Sequence, residues 1–183
     1  MMGKVCRYLS LSTLLVCLMQ SCADEQDFDQ FDDLSVTPEL ASSLFYFESP
    51  ETLINSAGNA VFYSQEFNFD AFEEGYVADN IMDGVITYEI ENTTSKPLDI
   101  LIEFLDETGN SLDSESFQID PEPTAILLRE VAYGTDGKSL DILRNTSSIR
   151  ISGINLGDST SVSTQSEPKI IIRSSAAFAF RLQ

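Results

Sequence analysis

The sequence predicts an all-β fold, an antiparallel β-sandwich of about seven to nine strands. From Ser43 onward, short runs rich in aromatic and β-branched residues alternate apolar with polar positions, and Gly, Pro, Asn and Asp separate these runs. Helical periodicity is confined to a few short stretches. With 183 residues, a hydrophobic fraction of 43% and 12 Phe, the chain can form one domain with a substantial core.

Eight segments carry the strand pattern: 44–48, 60–69, 85–91, 97–105, 111–119, 124–133, 149–156 and 168–182. In the seventh segment the alternation changes phase at Ser152-Gly153, which predicts a β-bulge. The predicted inward faces are Val61, Tyr63, Phe67 and Phe69 in the second segment, Ile86, Tyr88 and Ile90 in the third, Leu98, Ile100, Ile102 and Phe104 in the fourth, and Ile170, Ile172, Ala176, Phe178, Phe180 and Leu182 in the last.

The connections have their own signals. Residues 106–110, with the sequence Asp-Glu-Thr-Gly-Asn, predict the turn of a hairpin. A helical turn is expected at 51–54, and a short helix at 139–145, which Ser139 can cap. Residues 70–83 are expected to be an acidic connection between strands.

The N-terminus has the features of a targeting segment. Lys4 and Arg7 precede an apolar run at 9–19, which is too short to span a bilayer. The run ends in Leu-Met-Gln-Ser-Cys22, which resembles a bacterial lipobox, with Gln20 where a small or apolar residue is usual; such departures are frequent in lipoproteins of Bacteroidota. The resemblance implies cleavage before Cys22, a lipid on that residue and an outer-membrane location. An ordinary secretory peptide or a short membrane anchor is the alternative.

The segment after Cys22 is strongly acidic. It resembles the export signal that carries lipoproteins of that phylum to the cell surface, and the residues that carry this resemblance are Asp24, Glu25, Asp27 and Asp29. A solvated tether is the simpler interpretation. The predicted organisation is a signal peptide at 1–21, a lipidated, disordered acidic tether at 22–42 and the β-sandwich at 43–183.

Composition excludes several classes of function. The chain has no His, which excludes His-based triads and His-ligated metals. Thirty acidic residues against ten basic ones argue against nucleic acid as a partner, and cleavage would remove two of the basic residues and no acidic one. Two of the three Cys lie in the predicted signal peptide and the third is Cys22, so the mature domain is expected to have neither a disulfide nor a reactive thiol.

The segment 84–124 carries a second resemblance. It reads as a strand, a polar turn, a second strand ending in Phe104-Leu105-Asp106, and a third strand that leads to Pro121. This is similar to the FxLYD-type immunoglobulin-like sandwich of bacterial envelope lipoproteins, with Leu105 at the position of the Tyr. The resemblance covers about forty residues and implies an immunoglobulin-like fold and no reaction.

The sequence predicts no catalytic, cofactor or metal site. Ser159, in Asp158-Ser159-Thr160, resembles the O-glycosylation acceptor of Bacteroidota envelopes and lies in a loop rich in Ser and Thr. Calcium binding by acidic stretches and sugar binding by an exposed Tyr stay open. The predicted function is a non-enzymatic surface lipoprotein whose domain serves as a binding or structural module. A periplasm-facing subunit of an envelope complex and a carboxylate-based hydrolase are the alternatives.

Overall fold

The computed structural model describes residues 37–69, 72, 75–122 and 125–181, with the backbone alone at Tyr76. Strands dominate this part of the chain, as the alternating pattern predicts. The elements are β1 (Glu39–Pro50), α1 (Glu51–Ala57), β2 (Val61–Asn68), α2 (Gly75–Asn80), β3 (Ile81–Asn92), β4 (Leu98–Leu105), β5 (Ser111–Ile119), β6 (Leu127–Tyr133), α3 (Leu140–Asn145), β7 (Ser148–Asn155) and β8 (Lys169–Phe180).

The eight strands of the described residues form two antiparallel sheets of four. One sheet, the β1 sheet, has the order β1-β8-β3-β6, and the other, the β2 sheet, has the order β2-β7-β4-β5. The predicted antiparallel β-sandwich is therefore confirmed. Its strand order is that of a jelly roll, in which consecutive strands alternate between two four-stranded sheets except at the central β4–β5 hairpin.

The immunoglobulin-like order that the second resemblance implied is not the order observed. In an immunoglobulin-like sandwich the first two strands are neighbours in one sheet. Here β1 pairs with β8, while β2 lies in the other sheet beside β7. The resemblance rested on segments 84–124, where the β4–β5 hairpin is present. A hairpin of this kind occurs in both folds, so it does not determine how the remaining strands are ordered.

The core lies between the sheets and has the composition that the alternation predicts. Most predicted inward residues of β3, β4 and β8 are fully or almost fully buried, including Tyr88, Phe104 and Ile172. Aromatic rings connect the layers, since Tyr88 packs on Phe45 of β1 and on Phe117 of β5. The predicted inward residue Leu182 lies outside the described residues.

The prediction of a bulge in the seventh strand is wrong, because the bulge lies in β2, the strand that pairs with β7. β7 alternates regularly, with Ile149, Ile151 and Gly153 inward and Ile154 outward. The register instead shifts in β2 between Val61 and Tyr63, which turns Phe62 into the core and leaves Val61 half exposed. A Cβ on Gly153 would lie 2.5 Å from Cζ of Phe62, so the glycine makes room for this ring.

Two strands begin earlier than predicted. β1 pairs with β8 from Glu39, opposite Ala179, to Pro50, opposite Lys169. Residues 39–42, which the sequence assigned to the tether, therefore belong to the domain. β3 begins at Ile81, directly after α2, so a helix and a strand occupy part of the predicted acidic connection. Short polar side chains at 42–43 weaken the strand pattern, which explains why it is missed in the sequence.

The predicted short helices are present. Residues 51–57 form α1, and α3 begins after Ser139, whose side chain accepts a hydrogen bond from the amide of Asp141. The hairpin turn is held by Asp106, which accepts hydrogen bonds from Thr108 and Asn110; these bonds lower the pKa of its carboxyl to about 2. No helix in the described residues is long and apolar enough to cross a membrane.

Candidate functional site

The residues that the sequence proposed for lipidation and export lie outside the described residues: Cys22, Asp24, Glu25, Asp27 and Asp29. Ser159 lies in the β7–β8 connection and is exposed. Its neighbour Asp158 is held in place, since the carboxylate accepts hydrogen bonds from the amides of Thr160 at 2.7 Å and Ser161 at 2.6 Å. The fold thus uses Asp158 to shape the loop and leaves Ser159 at its surface.

The four connections β1–β2, β3–β4, β5–β6 and β7–β8 meet at one end of the sandwich, which we call the loop end. Glu51, at the start of α1, is 2% exposed, and its Oε1 accepts hydrogen bonds from the amide and the hydroxyl of Ser95, both at 2.6 Å. Its Oε2 accepts the amide of Ser163 at 2.9 Å. One carboxylate therefore joins three of the four connections.

The ionisation of Glu51 depends on these bonds. Burial by itself raises the pKa of the carboxyl, but the hydrogen bonds from Ser95 and Ser163, together with the charge of Lys96, more than offset it. The net result is a pKa below the ordinary value of 4.5. Glu51 is thus a buried charge that the folded state stabilises.

Lys96 is the second buried charge at the loop end. Its side chain is 1% exposed, and its Nζ donates to Oδ1 of Asp158 at 2.9 Å. Hydrogen bonds from Ser161, Lys96 and Thr160 lower the pKa of Asp158. Glu122 of the β5–β6 connection completes the network, because it accepts hydrogen bonds from the hydroxyl of Ser163 and the amide of Thr164.

A groove opens between α1 and the last part of the β7–β8 connection, with a cavity volume of about 570 Å³. Its walls combine amides, hydroxyls and charges with a few apolar surfaces. The lining side chains include Glu48, Thr52, Asn55, Val162, Gln165 and Lys169. Because Glu51 and Ser163 also line the groove, the buried network fixes both of its walls.

Tyr46 lies beside this groove on the outer face of the β1 sheet. Its ring is 56% exposed, and its hydroxyl donates to Oε2 of Glu48 at 2.7 Å. Glu48 also accepts a hydrogen bond from Nζ of Lys169 at 3.0 Å. The hydrogen bond from Tyr46, and then the contact with Lys169, lowers the pKa of Glu48, while the same bond raises the pKa of Tyr46.

On the other side of Tyr46, the outer face of the β1 sheet forms a shallow trough of about 540 Å³. Small side chains form its floor: Ala41, Ser43, Ser175 and Ala177, with Val85 and Thr87 beside them. In the register of β1 and β8, Ser43 lies opposite Ser175 and Tyr46 lies opposite Arg173. Tyr46 therefore lies between the trough and the groove.

A charged cluster lies where β5 and β6, the edge strands of the two sheets, face each other. Nζ of Lys138 is 2.6 Å from both Asp113 Oδ2 and Glu115 Oε1. Arg129 also contacts Glu115, at 3.3 Å. Burial tends to lower the pKa of Lys138, but the two carboxylates raise it overall. Lys138, which follows β6, lies between the two carboxylates of β5, and its ion pairs with them join the two sheets.

Two tyrosines lie beneath this cluster. Tyr133 donates to Oδ2 of Asp113 at 3.4 Å, while the hydroxyl of Tyr88 has no hydrogen-bond partner among the described residues. Burial is the largest cause that raises the pKa of both phenols far above its usual range; Asp113 and Glu115 add to it at Tyr133, and Tyr133 followed by the two carboxylates adds to it at Tyr88. Both tyrosines are therefore neutral core residues.

Within the described ranges, no group of three or more Asp, Glu, Cys or His side chains is arranged to hold a metal ion. Part of the acidic connection at 70–83, one of the stretches that could bind calcium, lies outside those ranges, including Asp70, Glu73 and Glu74.

Sequence reasoning did not identify the groove, and it left Tyr46 as one of five tyrosines that could be exposed, the others being Tyr63, Tyr76, Tyr88 and Tyr133. Most tyrosines fall on predicted inward faces, and Tyr46 was part of the short predicted strand 44–48. The register shift between Ser43 and Phe45 places Phe45 and Phe47 inward and Tyr46 outward. The alternation of Phe45, Phe47 and Ser49 with Tyr46 and Glu48 was the signal that could have revealed it.

No protein-family model matches the sequence, and no curated protein matches it. Among solved structures, the chain is similar to the VP2 subviral particle of infectious bursal disease virus, with 15% identity and a TM-score of 0.38 over 81% of this chain and 33% of that one. The chain thus spans about a third of VP2.

The chain is also similar to Desmodium yellow mottle tymovirus, with 7% identity, a TM-score of 0.36 and coverage of 82% of this chain and 89% of that one. A third similarity is to the enzymatically active domain of tailspike protein 4 of bacteriophage CBA120, with 16% identity, a TM-score of 0.34 and coverage of 79% and 19%. Similarities this low carry no argument about function.

Proposed function

We propose that this chain is a non-enzymatic lipoprotein, anchored in the outer membrane through Cys22 and exposed at the cell surface, whose β-sandwich serves as a binding module. The basic start, the length of the apolar run and the Ser21-Cys22 junction support the anchor. The acidic residues that follow support export to the surface.

The groove at the loop end is the observation that supports binding. Its walls come from two separate connections, and Glu51 of one wall accepts the amide of Ser163 of the other at 2.9 Å, which fixes them to each other. A groove that is formed before a ligand arrives loses less conformational entropy on binding. Loops held on a rigid β-scaffold are also the usual place for binding residues.

The hydrolase alternative has less support. It requires two convergent carboxylates that can reach a substrate. Asp113 and Glu115 do converge, but both are hydrogen-bonded to the ammonium of Lys138. This arrangement fits a structural role.

Surface labelling of intact cells tests the location. We expect the wild-type protein to be labelled, and its labelling to be lost when Asp24, Glu25, Asp27 and Asp29 are replaced by alanine, because the acidic run would no longer direct export. Unlabelled wild-type protein that also resists protease added to intact cells would favour the periplasm-facing subunit instead.

Metabolic labelling with a fatty acid tests the anchor. We expect Cys22→Ala to abolish incorporation and to leave an uncleaved or soluble protein. The matched control is Cys17→Ala, which lies in the predicted signal peptide and should leave incorporation unchanged. Equal incorporation in wild type and Cys22→Ala would contradict the lipoprotein assignment.

A further inference from the structure

The trough, Tyr46 and the groove form one continuous surface that follows β1 and β8. Hydrogen bonds join its parts, since Tyr46 donates to Glu48, and Glu48 accepts from Lys169 in the wall of the groove. The strand from Ala41 to Pro50 measures about 30 Å at the usual rise per residue. This length suits an extended polymer better than a compact small molecule.

The chemistry of this surface suits a neutral ligand with many hydroxyls. Along its middle, Glu48 pairs with Lys169 at 3.0 Å and Arg173 with Glu89 at 2.6 Å, so donors and acceptors lie side by side. Glu39, Glu130 and Glu167 also line the surface and add acceptors that repel anions. Tyr46 offers an exposed ring whose hydroxyl is fixed, and such a ring can stack on the apolar face of a sugar. The net charge of −20 disfavours anionic polymers.

An extended peptide fits this surface less well. Peptides that bind to sheets usually pair their main chain with an exposed strand edge. Here the ligand would lie on a sheet face, where the main-chain groups of β8 already pair with β1 on one side and with β3 on the other. The face offers only side chains, and small ones form its centre.

We propose that this surface binds a neutral oligosaccharide chain, with the ring of Tyr46 as a stacking platform between the trough and the groove. The inference rests on the proposed function as a binding module and names its ligand class. Contacts from Gln165 and Thr52 would add hydrogen bonds at the groove end, where both side chains line the wall.

Affinity electrophoresis in native gels tests this directly, because the acidic protein migrates readily. Full-length protein in a non-glycosidic neutral detergent is run through gels that contain dextran, laminarin, mannan, galactan or xylan. We expect at least one of these polysaccharides to retard the protein. Tyr46→Ala should weaken binding by about tenfold or more, and Tyr46→Phe, which keeps the ring, should retain most of it.

Two further variants separate the surface from general effects on folding. Ala177→Phe fills the trough without touching the core and should also weaken retardation. Val61→Ala is the matched control, since it removes an equally exposed apolar side chain from the other sheet and should bind as the wild type does. Circular dichroism of each variant confirms the fold.

Several outcomes would overturn the proposal: no retardation in any of the five gels, retardation only in a sixth gel that contains polygalacturonate or in a seventh that contains polylysine, or equal retardation of wild type, Tyr46→Ala and Ala177→Phe. These outcomes are independent of the location. If the protein is labelled at the surface but binds no glycan, only the proposed ligand is wrong. If it binds glycan but is not labelled, only the proposed surface location is wrong.

Discussion

Glu51 is a single residue on which the shape of the loop end depends. Replacing it with alanine leaves the amides of Ser95 and Ser163 without their acceptor in a buried place. Each such loss costs about 1–3 kcal/mol, so for the two amides we expect Glu51→Ala to lower the free energy of unfolding by about 2–6 kcal/mol. Urea denaturation at pH 7 measures this.

The ionisation of Glu51 makes the same effect depend on pH. Its folded pKa lies below the ordinary 4.5, so the charge contributes stability that is fully present above about pH 4.5 and is lost as the pH falls through the folded pKa. We expect the difference in stability between wild type and Glu51→Gln to be constant from pH 7 to 5 and to shrink below pH 4.5. A difference that grows in acid would contradict the assignment of a lowered pKa.

Individual residues also show how far sequence reasoning reaches. The inward positions of β3 and β4 follow from alternation alone, because each of these strands has one apolar and one polar face. The buried network at the loop end does not follow from the sequence. Its members Glu51, Lys96 and Asp158 act through contacts between residues 44 to 112 positions apart. No local pattern encodes such contacts.

At the level of elements, the bulge of β2 depends on Gly153 in the neighbouring strand. We expect Gly153→Ala to destabilise the protein by about 1–3 kcal/mol, because its Cβ would meet the ring of Phe62. The double variant with Phe62→Leu should lose less free energy of unfolding than the two single variants lose in sum. A double-mutant cycle measured by urea denaturation checks this. Strictly additive effects would show that the ring and the glycine do not interact.

The pairing of β1 with β8 gives a second prediction for elements. A chain that begins at residue 43 loses the pairs of Glu39, Leu40, Ala41 and Ser42 with β8, and it leaves the edge of residues 176–179 open. We expect it to melt several degrees below a chain that begins at residue 37, and to self-associate more readily, because an open strand edge can pair with another copy. Thermal melts and size-exclusion chromatography compare the two. Identical melting and elution would show that these four pairs contribute nothing.

For the whole molecule, alternation predicts two packed sheets but not their strand order. The pattern of apolar and polar positions gives each strand an inward face, and that face is the same in an immunoglobulin-like sandwich and in a jelly roll. The order depends on which strands become neighbours, such as β1 with β8 across more than a hundred residues. A resemblance limited to one hairpin carries no information on such distant pairs.

The charge of the whole molecule sets two electrostatic effects against each other. Thirty acidic and ten basic residues give a net charge of −20, and repulsion among the acidic side chains opposes compaction. Within the described ranges, seven basic residues form ion pairs: Lys96, Arg129, Lys138, Arg144, Arg150, Lys169 and Arg173. Most of these pairs are partly exposed, and such pairs contribute about 0–1 kcal/mol each.

Because salt screens both effects, its net influence shows which is larger. We expect the melting temperature to rise by about 3 °C or more between about 10 and 150 mM NaCl, since the Debye length falls from about 30 Å to about 8 Å and long-range repulsion is screened most. Sodium chloride is the suitable salt, because sulfate would also strengthen hydrophobic burial. A fall in melting temperature would mean that the ion pairs, with Lys138 between Asp113 and Glu115 foremost, contribute more than repulsion costs.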